Sequence, residues 1–203
     1  MKKFFLIFTL LISLPAIINA QIGIKAGINF SYISGDTDLV TNRSSKVGFQ
    51  GGLMYKIAVK DDWLSVQPEL IYIRKGGIFH IDQLKFDVRL DYVELPVLGV
   101  INFLGGNLNV HLGPQFSFLT KVEYAVVDES GMGSDFKDSD LSNYNTFDLG
   151  MAMGLGVELE IVMIELRYSI GFLAVEKGVN YDGQQYDPSS KNFNVQFLVG
   201  YLF

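Results

Sequence analysis

Two histidines and no cysteine in 203 residues leave few side chains suited to metal or acid–base chemistry. His80 and Asp82 form a His-x-Asp step in IFHIDQ, a spacing that sets a general base beside a carboxylate. His111 stands alone in LNVHLG, with no second histidine at zinc-ligand spacing. The glycine pairs of GLG (154–156) and GMG (131–133) do not open a helical pattern, so neither is a phosphate cradle. DESGMGSDFKDSD concentrates the oxygen ligands of Asp128, Glu129, Asp135, Asp138 and Asp140, which suit Ca²⁺ in type. It lacks the ordered EF-hand spacing, and a solvated acidic loop is the simpler reading. The chain is therefore not expected to be an enzyme, and no cofactor or resident metal is expected.

The remaining charges are arranged by a period of two. In FDLGMAMGLGVELE (147–160), Phe147, Leu149, Met151, Met153, Leu155, Val157 and Leu159 share one face of an extended segment. Asp148, Gly150, Ala152, Gly154, Gly156 and Glu158 share the other. The same alternation marks segments around 22–32, 47–57, 64–72, 93–103, 108–118, 164–172 and 193–203, which makes eight strands. VELEIVMIEL carries no turn residue, yet a single strand over 145–175 would extend on the order of 100 Å at about 3.3 Å per residue. A tight reversal near Glu160 and Ile161 is therefore required. Connections after strands one, three, five and seven are long and polar, the second of them around GGIFHIDQLKFD. Those after strands two, four and six are short. The expected architecture is all-β, an eight-stranded antiparallel up-and-down barrel with both chain ends on the tight side.

Alternation alone also fits a soluble, lipocalin-like carrier with the apolar face inside. Three features favour the opposite orientation, a transmembrane β-barrel. The polar face is rich in glycine rather than in Lys, Glu, Asp and Arg, as suits the cramped lumen of eight strands. The apolar face is almost free of charge and gathers Phe and Tyr toward strand ends, with Trp63 at the tight end, as interfacial girdles do. Short turns at one end and long loops at the other match periplasmic and external sides.

MKKFFLIFTLLISLPAIINAQ has a basic start, an apolar run from Phe4 to Leu14, Pro15 and a small residue at Ala20. That layout predicts a signal peptide over 1–20 and a barrel domain over 21–203. Its eleven apolar residues fall short of the roughly 20 that a spanning helix needs. Without Lys2 and Lys3, the 16 basic residues become 14 against 22 acidic ones, a charge of −8. Nucleic acid is a poor partner for that surface. Mean hydropathy is nevertheless +0.26, which a lipid-facing exterior explains.

GIKAGINFS, LSVQPELIYIRKGG, LDYVELPVLGVINF, HLGPQFSFLT and the terminal aromatic residue together resemble the small outer-membrane β-barrel (porin-family) proteins of Gram-negative bacteria. The resemblance covers residues 21–203 and departs at Val100, where relatives carry a basic lumen residue. It implies that the last strand, with Tyr201 and Phe203, resembles the signal read by the barrel-assembly machinery during insertion.

By parity the lumen network comprises Lys25, Lys56, Glu69, Glu94, His111, Asp148, Glu158, Glu165 and Arg167, with Gln50, Gln67, Gln115, Asn194 and Gln196. Carboxylates outnumber cations in this set. Buried charges must pair or they cost several kcal/mol each, so water or a carboxylic acid is expected within the network. The favoured reading is a side-chain-filled, monomeric barrel serving envelope integrity or surface adhesion, with an unidentified loop ligand. Its partners would be outer-membrane lipid and lipopolysaccharide. A low-conductance porin is the alternative.

Overall fold

The computed structural model describes residues 20–34, 42–60, 63–81, 84–127, 136–177, 179–181, 184–186 and 190–203. Eight long strands run through them: β1 (Ala20–Ser34), β2 (Asn42–Lys60), β3 (Leu64–Ile81), β4 (Leu84–Phe103), β5 (Leu108–Val127), β6 (Phe147–Leu159), β7 (Val162–Gly171) and β8 (Lys191–Leu202). Each pairs antiparallel with its sequence neighbours, and β1 pairs with β8 through Ile24↔Tyr201 to Ser34↔Lys191. The order β4-β3-β2-β1-β8-β7-β6-β5, with β4 also paired to β5, closes the sheet on itself. This is the eight-stranded antiparallel barrel expected from the alternation.

The faces divide as period two requires. On β8, Val195, Phe197 and Val199 are 37%, 48% and 58% exposed, whereas Asn194 and Gln196 are 1% exposed. A soluble barrel with its apolar side chains in the lumen is excluded, because the polar set occupies the interior. Aromatic residues ring the exterior near the strand ends, with Phe118 and Phe147 at 5.4 Å and Phe49 and Tyr72 at 6.0 Å between centroids. Tyr201 and Phe203 meet at 5.1 Å at the opposite end.

The reversal between β6 and β7 falls at Glu160 and Ile161, between the paired Leu159 and Val162. Glu160 has φ of 52°, a left-handed conformation for which glycine is the favoured residue in a two-residue hairpin. The opposite end departs from the sequence reading. Either side of Asp82 and Gln83, which lie outside the described residues, GGIFHIDQLKFD is strand: β3 and β4 stay in register through Gly77↔Val88, Phe79↔Phe86 and Ile81↔Leu84. Polar and glycine residues hid that hairpin, whose strands project past the aromatic girdle. Strand β5 extends likewise to Val127, with a bulge where Asp91 faces Lys121 and Tyr92 faces Leu119.

One seam needs side chains to complete it. Between Ser45↔Gly77 and Gln50↔Ile73 the β2–β3 register shifts, and β1 reaches over Gly48 to close the gap. Asn29 Nδ2 donates to Arg74 O at 3.0 Å, while Ser31 Oγ donates to Gly76 O and accepts from Gly76 N, each at 2.9 Å. A Cβ on Gly48 would strike both Arg74 O and the Asn29 side chain.

Two outcomes follow from this architecture. Leu155→Arg places a charge on the outward face of β6 and should cost about 2–4 kcal/mol near the midplane, read from urea midpoints of the barrel in lipid vesicles. Glu160→Gly should relieve about 1 kcal/mol of left-handed backbone strain, raising the midpoint in the same assay.

Candidate functional site: the lumen network and its outer cap

Four strands converge on one buried ionic cage. Alternation sends Lys25 inward from β1, Glu69 from β3, His111 from β5 and both Glu165 and Arg167 from β7. Lys25 Nζ donates to Glu69 Oε1 and Glu165 Oε2, both at 2.6 Å. Arg167 forks onto Glu69, with Nη1 to Oε2 at 2.7 Å and Nη2 to Oε1 at 2.8 Å, and its Nε donates to Glu165 Oε1 at 2.6 Å. His111 Nε2 lies 3.0 Å from Glu165 Oε1, and Gln67 Nε2 donates to Glu69 Oε1 at 2.7 Å. Two cations thus face two carboxylates with their lone pairs occupied, the condition under which buried charge is tolerated. Glycines make the room: on Gly154 a Cβ would collide with the His111 ring.

The other sequence-derived lumen residues lie apart from this cage. Lys56 and Glu158 pair at 2.6 Å nearer the tight end, beside an apolar cluster of Met54, Met163 and Leu202. Glu94 is held by Lys75 at 2.5 Å and accepts from Ser117 Oγ at 3.0 Å. Lys75 escaped the parity assignment because IRKGG reads as the start of a loop. Asp148 accepts the Leu173 N–H at 3.1 Å and, among the described lumen carboxylates, is the one with no cation within 4.0 Å.

The lumen is also less polar than parity suggested. Val100 packs with Leu98 and Ala152 inside the barrel. Above the polar set, Ile33, Ile71, Ile73, Leu90, Tyr92, Leu119, Val122 and Val175 form a buried cluster joined by Phe79, Val88, Leu141 and Tyr144. This cap draws on both the strand extensions and the connections, so strand parity could not reveal it. A signal was present: Ile71 and Ile73 alternate with the outward Tyr72 on the lumen face of β3.

Over the cap the chain is tied into a platform. Asn145 N donates to Val175 O at 2.9 Å, Asn145 Nδ2 to Ala174 O at 2.8 Å, Val175 N to Ser190 O at 2.8 Å and Lys177 N to Asn143 O at 3.0 Å. Residues Lys137–Asp138 pair along β5 opposite Tyr124 and Glu123, and the Arg89 guanidinium lies 3.3 Å over the Phe136 ring. Asp140 accepts the Ser142 backbone N–H at 2.9 Å, which holds its carboxyl below the ordinary range. Asp138 lies 3.1 Å from Lys121. Two oxygen donors of the acidic segment are therefore already engaged; Asp128, Glu129 and Asp135 lie outside the described residues, as do residues 1–19 of the signal peptide expected over 1–20. His80 pairs with Lys85 in the projecting hairpin, and Asp82 is outside the described residues. Among the described residues no three His, Cys, Asp or Glu side chains gather as a metal site.

A closed barrel with a greasy exterior, aromatic girdles and a charged, packed interior defines the class of outer-membrane barrels. Residues 13–177 match the family described as Outer membrane protein beta-barrel domain, and the chain belongs to that family. It is an outer-membrane protein. Among solved structures it is similar to Neisserial surface protein A, with a TM-score of 0.54 and 14% identity over 91% of this chain and 99% of that one. It also matches Ail, the attachment invasion locus protein of Yersinia pestis, with a TM-score of 0.48 and 16% identity over 92% and 100%. A major outer membrane protein from Thermus thermophilus gives a TM-score of 0.46 and 14% identity over 91% and 100%. No curated protein matches in sequence.

The cage makes a quantitative prediction. Glu69→Gln leaves Lys25 and Arg167 short of a counter-charge inside the lumen and should destabilise the barrel by about 3–5 kcal/mol. Lys56→Met, at the wetter Lys56–Glu158 pair, should cost clearly less in the same urea titration.

Proposed function

We propose that the chain is a non-conducting, monomeric surface barrel that serves envelope integrity or adhesion through its external face. One observation carries the reading: the lumen is closed by ionic and apolar layers while the external end is built into an ordered platform. Lys56–Glu158 and the methionine cluster stand toward the tight end, the cage and Val100 cluster lie inside, and the apolar cap covers the other end. A solute would have to cross each layer, breaking buried ion pairs in a low-dielectric space. The platform, by contrast, presents the exposed Lys177 and Ser142 on a backbone fixed by hydrogen bonds to its neighbours. Binding surfaces gain from such preorganisation, because little ordering entropy remains to be lost.

The same reading assigns residues 1–20 as a cleaved export leader. It makes Tyr201 and Phe203 the segment recognised during assembly, with lipopolysaccharide and lipid around the finished wall. In support, Phe203 stays 72% exposed while its N–H donates to Ile22 O at 2.8 Å, leaving the ring outside the closing seam.

The test uses a strain lacking the chain, complemented with the intact gene or with residues 136–146 and 172–177 replaced by Gly-Ser linkers. The linker variant should insert normally by heat-modifiable gel shift yet lose surface attachment or detergent resistance, whereas Lys56→Met keeps both. The purified barrel should give no stepwise currents in planar bilayers; unitary steps would replace this reading with a pore.

A further inference from the structure

We propose that the outer part of the lumen holds one monovalent oxygen-ligated cation, of the sodium class, with Asp148 as its charged ligand. Charge and geometry point to the same place. Every other described lumen carboxylate has a cation within 4.0 Å, but Asp148 has none and accepts the Leu173 N–H instead, although it is 5% exposed. Glu94, two strands away in the same ladder row through Ser117, is neutralised by Lys75. The row therefore holds one carboxylate without an ion-pair partner.

The neighbouring groups offer acceptors. Gln115 on β5 pairs with Gly150 on β6, which pairs with Gly171 on β7, and Asn192 on β8 precedes the Phe193 that pairs with Ile170. Gln115 and Asn192 thus flank two consecutive glycines, and the Asp148 carboxylate lies across the second, where a Cβ on Gly171 would strike it. The amide nitrogens of the pair are used: Gln115 Nε2 donates to Ser117 Oγ at 3.4 Å and Asn192 Nδ2 to Tyr92 Oη at 3.2 Å. Gln115 Oε1 and Asn192 Oδ1 are buried without a donor, in residues each 3% exposed. Asn192 also donates a side-chain hydrogen bond to Asp148, while Lys75 and Glu94 act on it through their charges.

A carboxylate and two amide oxygens that receive no hydrogen bond thus border one glycine-floored row of the lumen. Leaving such groups desolvated and unpaired costs on the order of 1–3 kcal/mol each, and a hard cation with oxygen preference removes that cost. The single carboxylate and the adjacent Lys75 ammonium select a monovalent ion over a divalent one. Ion binding to the folded state alone stabilises it by mass action.

The full chain, refolded from urea into zwitterionic detergent in Na⁺, K⁺ or choline chloride at constant ionic strength, supplies the test. With Na⁺ replacing choline, the thermal midpoint should rise by about 3–6 °C per tenfold increase once the site begins to fill. Asp148→Asn should remove that dependence, and ²³Na relaxation of the intact chain should show a slowly exchanging bound fraction. Equal midpoints in Na⁺ and choline, an unchanged Na⁺ dependence in Asp148→Asn, or no bound fraction by ²³Na relaxation would each overturn the proposal. If Asp148→Asn does not refold, Gln115→Leu replaces it: a weakened Na⁺ dependence supports the site and an unaltered one rejects it.

Discussion

Backbone pairing without water is the constraint on which the rest of this molecule depends. In hydrocarbon an unpaired amide has no solvent to turn to, and only a helix or a closed sheet satisfies them all. No described helix is long and apolar enough to cross a membrane, and the strands instead close through β1–β8 and β4–β5. Where the β2–β3 ladder slips, Asn29 and Ser31 supply the missing partners from the next strand but one. Closure then dictates composition. The outer face must be apolar to meet lipid, and the inner face takes the polar residues in a space so narrow that Gly48, Gly154 and Gly171 stand where neighbouring side chains cross.

Inside that cylinder the decisive quantity is charge balance rather than hydrophobic burial. The cage of Lys25, Arg167, Glu69 and Glu165 is neutral, drawn from three strands, and hydrogen-bonded throughout. Such a cluster contributes little net stability compared with a greasy core of equal volume, but losing one member is costly. It therefore acts as a register lock: a one-residue slip of β1, β3 or β7 would turn its charge toward lipid. The apolar clusters at either side of the cage keep water from these ion pairs and so strengthen them.

The two ends of the barrel do different work. The turn at Glu160 and Ile161 only reverses the chain, and it does so in two residues at the cost of a left-handed glutamate. At the other end the strands overrun the membrane zone, and their inward Ile, Leu and Val side chains meet Leu141, Tyr144 and Val175 from the connections. The platform above is thereby anchored to the barrel wall through a small core of its own. A rigid presentation of external residues follows from that anchoring.

Period two, set against glycine, charge and aromatic placement, already determined the strand number, which face meets lipid, and the reversal at Glu160 and Ile161. Parity likewise placed Lys25, Glu69, Glu165 and Arg167 on the inner face, because side-chain direction in a strand is a local property. Which of them meet was not legible: Lys25 lies 140 residues from Glu165 in the chain, and their contact at 2.6 Å depends on barrel stagger and on glycines across the lumen. The projecting β3–β4 hairpin escaped notice because Gly76, Gly77 and its polar residues read as loop, although cross-strand pairing holds them extended. Lys75 as the partner of Glu94, the assembly of the apolar cap and the identity of Asp148 as the carboxylate without an ion pair arose only in three dimensions. Pairing, burial and charge balance are sums over neighbours that sequence order does not supply.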